Sequence, residues 1–265
     1  MKKITALFIA TMLTASVTGC SSASSAAAGD HLKKIQDAGT ITVGLEGNWQ
    51  PFCYHDETDT LVGFDVEVTK EIAKRLGVEV NFVEGEWDGL FTGLSTGTYD
   101  LVVNGVDVTE ERQKSYYFTE PYAYDKVVLV VKQDNTDITS YEDLAGKKTA
   151  NSTGSTYMEI GESFGAEVSP AQTLADTMTL VLNGQVDATI NASTSVQDYL
   201  KTTGETGLKV VAELPETTAY AIPLPKTAEN ESLVEAINEA IKAMRADGTL
   251  AAISEKYFGA DLTAE

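Results

Sequence analysis

Asn104–Tyr122, NGVDVTEERQKSYYFTEPY, is the stretch whose reading decides the fold. It follows a short apolar run, Tyr99–Val103, held between Gly97 and Gly105, which reads as a strand running out into a glycine turn. Residues beyond such a strand end lie where open α/β sheets bind ligands. Asp107 and Arg112 stand just past it. Thr109 before Glu110 and Glu111 reads as an N-cap followed by an acidic first helical turn. An arginine there offers a carboxylate a planar, permanently charged fork. On spacing alone, a surface cation paired with Glu110 or Glu111 is the simpler reading.

Outward from this stretch, strands and helices alternate. Upstream, residues 40–45 (TITVGL) read as a buried strand and 47–52 as a loop. Residues 64–76 read as a helix with Val68, Ile72 and Leu76 on one face, closed by Gly77. A second strand is expected over 78–83 and a short helix over 87–94. Downstream, the β-branched run 126–132 (KVVLVVK) reads as a long buried strand. Further strands are expected at 147–152, 167–168, 187–190 and 208–211, with helices centred on Tyr157, Val181 and Val196 between them. Residues 219–224 are strand-like. Residues 231–245 form an amphipathic helix with Leu233, Ile237, Ile241 and Met244 on one face, and a last helix covers about 249–257. This alternation predicts βαβ units and parallel sheets, hence an α/β fold.

At 265 residues, 43% hydrophobic and 22% charged, the chain is long enough for one or two domains with sizeable cores. Its formal charge is −21, spread along the chain. That argues against nucleic acid or an anionic lipid surface as partner. There are two histidines, His31 and His55, and two cysteines, Cys20 and Cys53. They form no metal-ligand cluster, so neither metal nor cofactor is expected, and the chain carries no phosphate loop or nucleophile elbow.

Residues 1–19 read as a signal peptide: Lys2 and Lys3, then an apolar run of modest length. It ends Val17-Thr18-Gly19-Cys20, which resembles a bacterial lipobox, so Cys20 is the expected lipidation site. Residues 21–29, SSASSAAAG, are small and polar and read as a flexible tether. With Cys20 lipidated, Cys53 has no partner for an intrachain disulfide.

Residues 109–122, TEERQKSYYFTEPY, resemble the T-x-E-R-K-x-x-x-F-S-x-P-Y motif of the polar amino acid substrate-binding proteins of ABC transporters, the bacterial extracellular solute-binding protein family 3. Further matches run in order from Gly39 to Leu262: GTITVGLEGNWQPF, LVGFDVEVTKEIAKRLGV, WDGLFTGLSTGTYDLVVNGV, YEDLAGKKTANSTGSTY, LVLNGQVDAT and DGTLAAISEKYFGADL. The resemblance implies a two-lobed, periplasmic-binding-protein-like fold of type II, with two parallel-rich sheets flanked by helices and joined by a two-strand hinge. Carried over, the division is 1–19 signal peptide, 20–37 lipidated Cys and tether with folded structure beginning near His31, 38–124 plus 220–265 lobe 1, and 125–219 lobe 2.

The resemblance also implies roles. Glu46 matches an acid that accepts the ligand ammonium. Trp49 and Trp87 match aromatic positions that sandwich its side chain. Asn104 and Gly105 match polar and backbone contacts to its α-groups, and Arg112 matches the fork for its carboxylate. Gly154, Ser155 and Thr156 open a helix whose N–H groups and hydroxyls face the carboxylate, and Asn191 lies at a strand end in the second lobe. Each also has a plainer reading: core or lid residues for the tryptophans, a solvated loop acid for Glu46, a helix cap for Ser155 and a turn residue for Asn191. Two positions depart from the family. Asp107 stands where Thr or Ser is usual, and Ala192 where many relatives have an Asp that grips the α-ammonium. The ammonium contact is therefore expected to have moved to Glu46 and Asp107.

VGLEGNWQPF and EKYFGADL are most similar to cystine-binding members. The implied function is an extracytoplasmic lipoprotein, monomeric, that captures a polar amino acid, L-cystine first, and delivers it to an ABC permease and its ATPase. Glutamine, other polar and basic amino acids remain open. A dehydratase-type enzyme on the same scaffold and a ligand-sensing domain are the alternatives.

Overall fold

The computed structural model describes residues 29–264. In chain order the first part comprises α1 (His31–Ala38), β1 (Thr40–Leu45), β2 (Asn48–Trp49), β3 (Cys53–His55), β4 (Leu61–Val62), α2 (Phe64–Leu76), β5 (Glu79–Glu84), α3 (Trp87–Thr96), β6 (Leu101–Val102), α4 (Glu110–Ser115), β7 (Tyr116–Phe118) and β8 (Ala123–Lys132). Then follow β9 (Lys148–Asn151), α5 (Thr156–Ser163), β10 (Glu167–Pro170), α6 (Leu174–Leu182), β11 (Ala188–Ala192), α7 (Ser193–Thr203), β12 (Leu208–Tyr220), β13 (Pro223–Pro225), α8 (Glu231–Ala246) and α9 (Thr249–Phe258). The signal peptide, the tether 21–28 and Cys20 lie outside the described residues.

The molecule is two-lobed. Lobe 1 is built on a parallel sheet in the order β5-β1-β6, with β1 and β5 in register from Thr40–Glu79 to Leu45–Glu84. Ile41, Val43, Leu45, Leu101 and Val103 share its core with Val66, Val68 and Ile72 of α2. Leu233, Ile237, Ile241 and Met244 of α8 complete that core, so the C-terminal helices return to the first lobe. Lobe 2 carries the sheet β10-β9-β11-β8-β12, parallel through β10, β9 and β11 and antiparallel at β8 and β12. The second sheet is therefore mixed rather than simply parallel. Strand β8 is apolar from Val127 to Val131 because both its faces are covered there: Val127, Leu129 and Val131 enter one core, Val128 and Val130 the other.

Strands β8 and β12 pair along most of their length and connect the lobes. The pairing holds from Ala123–Tyr220 to Lys126–Thr217, breaks over Leu214-Pro215-Glu216, and resumes at Val128–Glu213. Pro215 has no N–H to give a ladder. The expected strand 208–211 is the start of a longer element, β12, because the partner β8 keeps the chain extended past the local signal, and the expected strand 219–224 is divided between the end of β12 and β13.

One boundary is corrected. The tether does not extend to residue 37. Asp30 caps α1, whose Ile35 enters the lobe 1 core, and His31 bonds Asp100 through Nε2 (2.8 Å) and Asn230 through Nδ1 (2.5 Å). Among the described residues no helix is long and apolar enough to cross a membrane.

Candidate functional site

The carboxyl ends of the parallel strands in the two lobes face each other across a cleft. From lobe 1, the end of β1 leads to Glu46, β2 supplies Asn48 and Trp49, the end of β5 leads to Trp87, and β6 leads to Asn104, Gly105 and Asp107. From lobe 2, β9 leads to Ser152, Ser155, Thr156 and Tyr157, β10 to Gln172, Thr173 and Leu174, and β11 contributes Asn191. The cleft is narrow, with a free volume of about 50 Å³ between these residues.

The aromatic floor is rigid. Trp49 stacks on Phe52 with centroids 4.2 Å apart, and its ring lies over Gly105. A Cβ on Gly105 would stand 2.4 Å from the indole, and the φ of +51° there is unfavourable for other residues. Trp87, the first residue of α3, has one face toward Arg112, whose guanidinium carbon is 5.3 Å from its ring and 5.1 Å from that of Phe91.

Glu46 is the acid that faces the cleft. Its backbone N–H donates to Asn104 Oδ1 (2.8 Å), and its Oε2 accepts from Asn104 Nδ2 (2.7 Å). Burial pushes its carboxyl up to about 7, against the Asn104 hydrogen bond and helped by the negative charge of Glu86.

Several expected roles are corrected. Asp107 does not stand free for an ammonium: its carboxylate pairs with Arg112 Nη1, which also donates to the Asp107 carbonyl (3.1 Å). Arg112 is therefore partnered by neither Glu110 nor Glu111. Its Nη2 reaches lobe 2 and donates to the carbonyl of Gly154 (3.2 Å). Gly154 serves Arg112 through this carbonyl, and it is absent from the cleft wall. The Gly105 N–H is turned inward, donating to Asp65 Oδ2 (2.7 Å) and Tyr122 Oη (3.2 Å), so Gly105 offers the cleft its shape and not its amide. The Asn104 side chain is spent on Glu46 and on Cys53, whose Sγ donates to Oδ1 at 3.1 Å.

Ser155 caps α5, its Oγ accepting from the Met158 N–H, while it and Thr156 line the cleft. Asn191 lines it as well, with Oδ1 accepting from the Ala192 N–H. Ala192 is fully buried at the start of α7. The carboxylate near that helix start comes from the hinge: Asp125 accepts from Thr194 Oγ1 (2.5 Å) and the Thr194 N–H (3.4 Å), and burial pushes it up to about 6.

Sequence reasoning missed Asn48, Ser152, Tyr157, Gln172, Thr173 and Leu174. The sequence does hold a signal for three of them. Thr173 and Asp176 form a reciprocal capping box, T-L-A-D, which marks the start of α6 directly after β10. Two helix N-termini, those of α5 and α6, thus border one cleft. Among the described residues no group of three or more His, Cys, Asp and Glu is placed to hold a metal ion.

Comparison with known proteins places the chain in a family. Residues 41–260 match the model of the bacterial extracellular solute-binding proteins, family 3. The L-cystine-binding protein TcyA of Bacillus subtilis is 40% identical over 236 residues, 89% of this chain and 87% of TcyA. An ancestral arginine-binding protein bound to arginine superimposes with a TM-score of 0.78 at 37% identity, over 83% of this chain and 99% of that one. The L-cystine solute receptor of Neisseria gonorrhoeae, unliganded and open, gives 0.61 at 38% identity, over 89% and 100%.

Proposed function

The chain belongs to the bacterial extracellular solute-binding proteins, family 3, and we propose that it captures L-cystine between its lobes and delivers it to an ABC importer. In this reading 38–124 with 220–265 and 125–219 move as two units about the β8–β12 pair. Cys20 carries the lipid that holds the protein at the outer face of the membrane, and the closed, monomeric form docks on a permease with its ATPase. No bond is broken.

The observation that carries the reading is the unequal make-up of the cleft. Lobe 1 brings Glu46 and Asp107 to the cleft wall, with Arg112 paired to Asp107 behind it, while lobe 2 brings two helix N-termini with Ser155, Thr156, Thr173 and Asn191. Glu46 suits an ammonium, and Arg112 with the α5 N-terminus suits a carboxylate. Cystine has two amino acid ends, and the second helix N-terminus, that of α6, suits its second carboxylate. The cystine-binding TcyA adds support through its likeness over most of the chain. A ligand touching both lobes binds the closed state better and shifts the population toward it.

Mass spectrometry of the small molecules released from the purified, denatured protein tests this. L-cystine is expected. Recovery of glutamine or arginine instead overturns the choice of cystine but keeps an amino acid. Conversion of an added ligand to a new mass would favour the dehydratase-type enzyme.

A further inference from the structure

Asn104 and Cys53 are placed behind Glu46, one after the other. Cys53, on β3, is fully buried. Burial holds its thiol well above the usual range, so it is protonated and able to donate. Asn104 Oδ1 accepts two donors, the Glu46 N–H at 2.8 Å and the Cys53 thiol at 3.1 Å. A carbonyl oxygen has two lone pairs, and both are used. The amide orientation follows: a flipped Asn104 would set its NH₂ against two donors and leave Glu46 Oε2 without its 2.7 Å bond.

We propose that Asn104 is a positioning residue for ligand selection, locked by Cys53, that holds the Glu46 carboxylate aimed and ionised for a ligand ammonium. This rests on the reading that Glu46 receives that ammonium. The bond from Asn104 opposes the burial that favours the neutral acid. The other charges near Glu46 do not take over that task. Glu86 before α3 opposes ionisation. Glu84, which packs against Gly47, is bonded to His55. Asp107 is paired with Arg112, and Asp65 is held by Gly105 and Tyr122. Asn104 is the neutral donor that keeps the charge in place.

The test is calorimetric titration of the purified full chain with L-cystine, L-glutamine and L-arginine between pH 5.5 and 8. Wild type should bind more tightly as pH rises through about 7, as Glu46 ionises. In Asn104→Leu, which removes the bond at similar size, that midpoint should move up by about one pH unit, a loss of about tenfold at pH 5.5 that falls to about fivefold at pH 7 and about twofold at pH 8. Cys53→Ala should move it in the same direction by less, and Cys53→Ser, which still donates, by less again. Uniform weakening of Asn104→Leu at every pH, with the midpoint unmoved, would overturn the proposal in favour of a purely structural role. If Asn104→Leu does not fold, an unmoved midpoint in Cys53→Ala overturns the lock. Glu46→Gln separates the two levels. It should weaken binding and abolish the pH dependence, and unchanged binding there would overturn the reading of Glu46 itself.

Discussion

Arg112 and Asp107 are almost equally withdrawn from solvent, with side chains 11% and 12% exposed. Arg112→Ala would leave the ligand carboxylate without its fork and is expected to cost about 2–5 kcal/mol of affinity, as for other buried charge pairs. Arg112→Lys should recover only part of this, because a point charge does not replace a planar fork resting on Trp87 and Phe91. Asp107→Asn keeps an oxygen for Nη1 and is expected to weaken binding far less than Arg112→Ala. Titration of the three variants checks the order, and equal losses at Asp107→Asn and Arg112→Ala would return Asp107 to the ligand. The sequence placed both residues past a strand end but did not reveal that they face each other. That pairing depends on the turn through Val106 and Val108, where Asp107 bridges to Tyr220 of β12. A contact across 113 positions leaves no local signal.

At the scale of elements, α2 and the loop after β6 are joined by one buried acid. Asp65, in the first turn of α2, accepts from the Gly105 N–H and from Tyr122 Oη (2.8 Å), and burial pushes it up to about 7. Its folded value lies above its unfolded one, so the folded state binds the extra proton between about pH 4 and 7. The stability this contributes is fully present below about pH 4 and is lost as pH rises through 7. Urea melts of wild type and Asp65→Asn at pH 4, 5.5 and 7 should show their stability difference shifting toward the variant as pH rises; a constant difference would contradict the assignment. Elements with a regular apolar period, such as α2 and α8, were legible in the sequence because periodicity alone fixes their buried face. Folded structure was expected from about His31, but the tether bound was drawn at 37 and α1 went unread because its dominant contacts, Asp100 and Asn230, are far along the chain. The start of β8 and most of β12 were missed because mutual pairing, not composition, keeps them extended.

At the scale of the whole molecule, side-chain hydrogen bonds join the lobes beside the cleft, among them Arg112 with the Gly154 carbonyl and Tyr157 Oη with Tyr220 Oη at 3.3 Å. In the proposed closure these contacts form as the lobes approach, so solution scattering should show a smaller radius of gyration on adding L-cystine, and an unchanged one would argue against hinge closure. The two-lobed architecture was legible from the order of strands, helices and motifs. The most direct measurement of the central claim is calorimetric titration of L-cystine into the ligand-free full chain. The account predicts one site per chain with Kd of about 1 μM or tighter, lost in Arg112→Ala. Absence of saturable binding up to about 1 mM, or full affinity retained in Arg112→Ala, would contradict it.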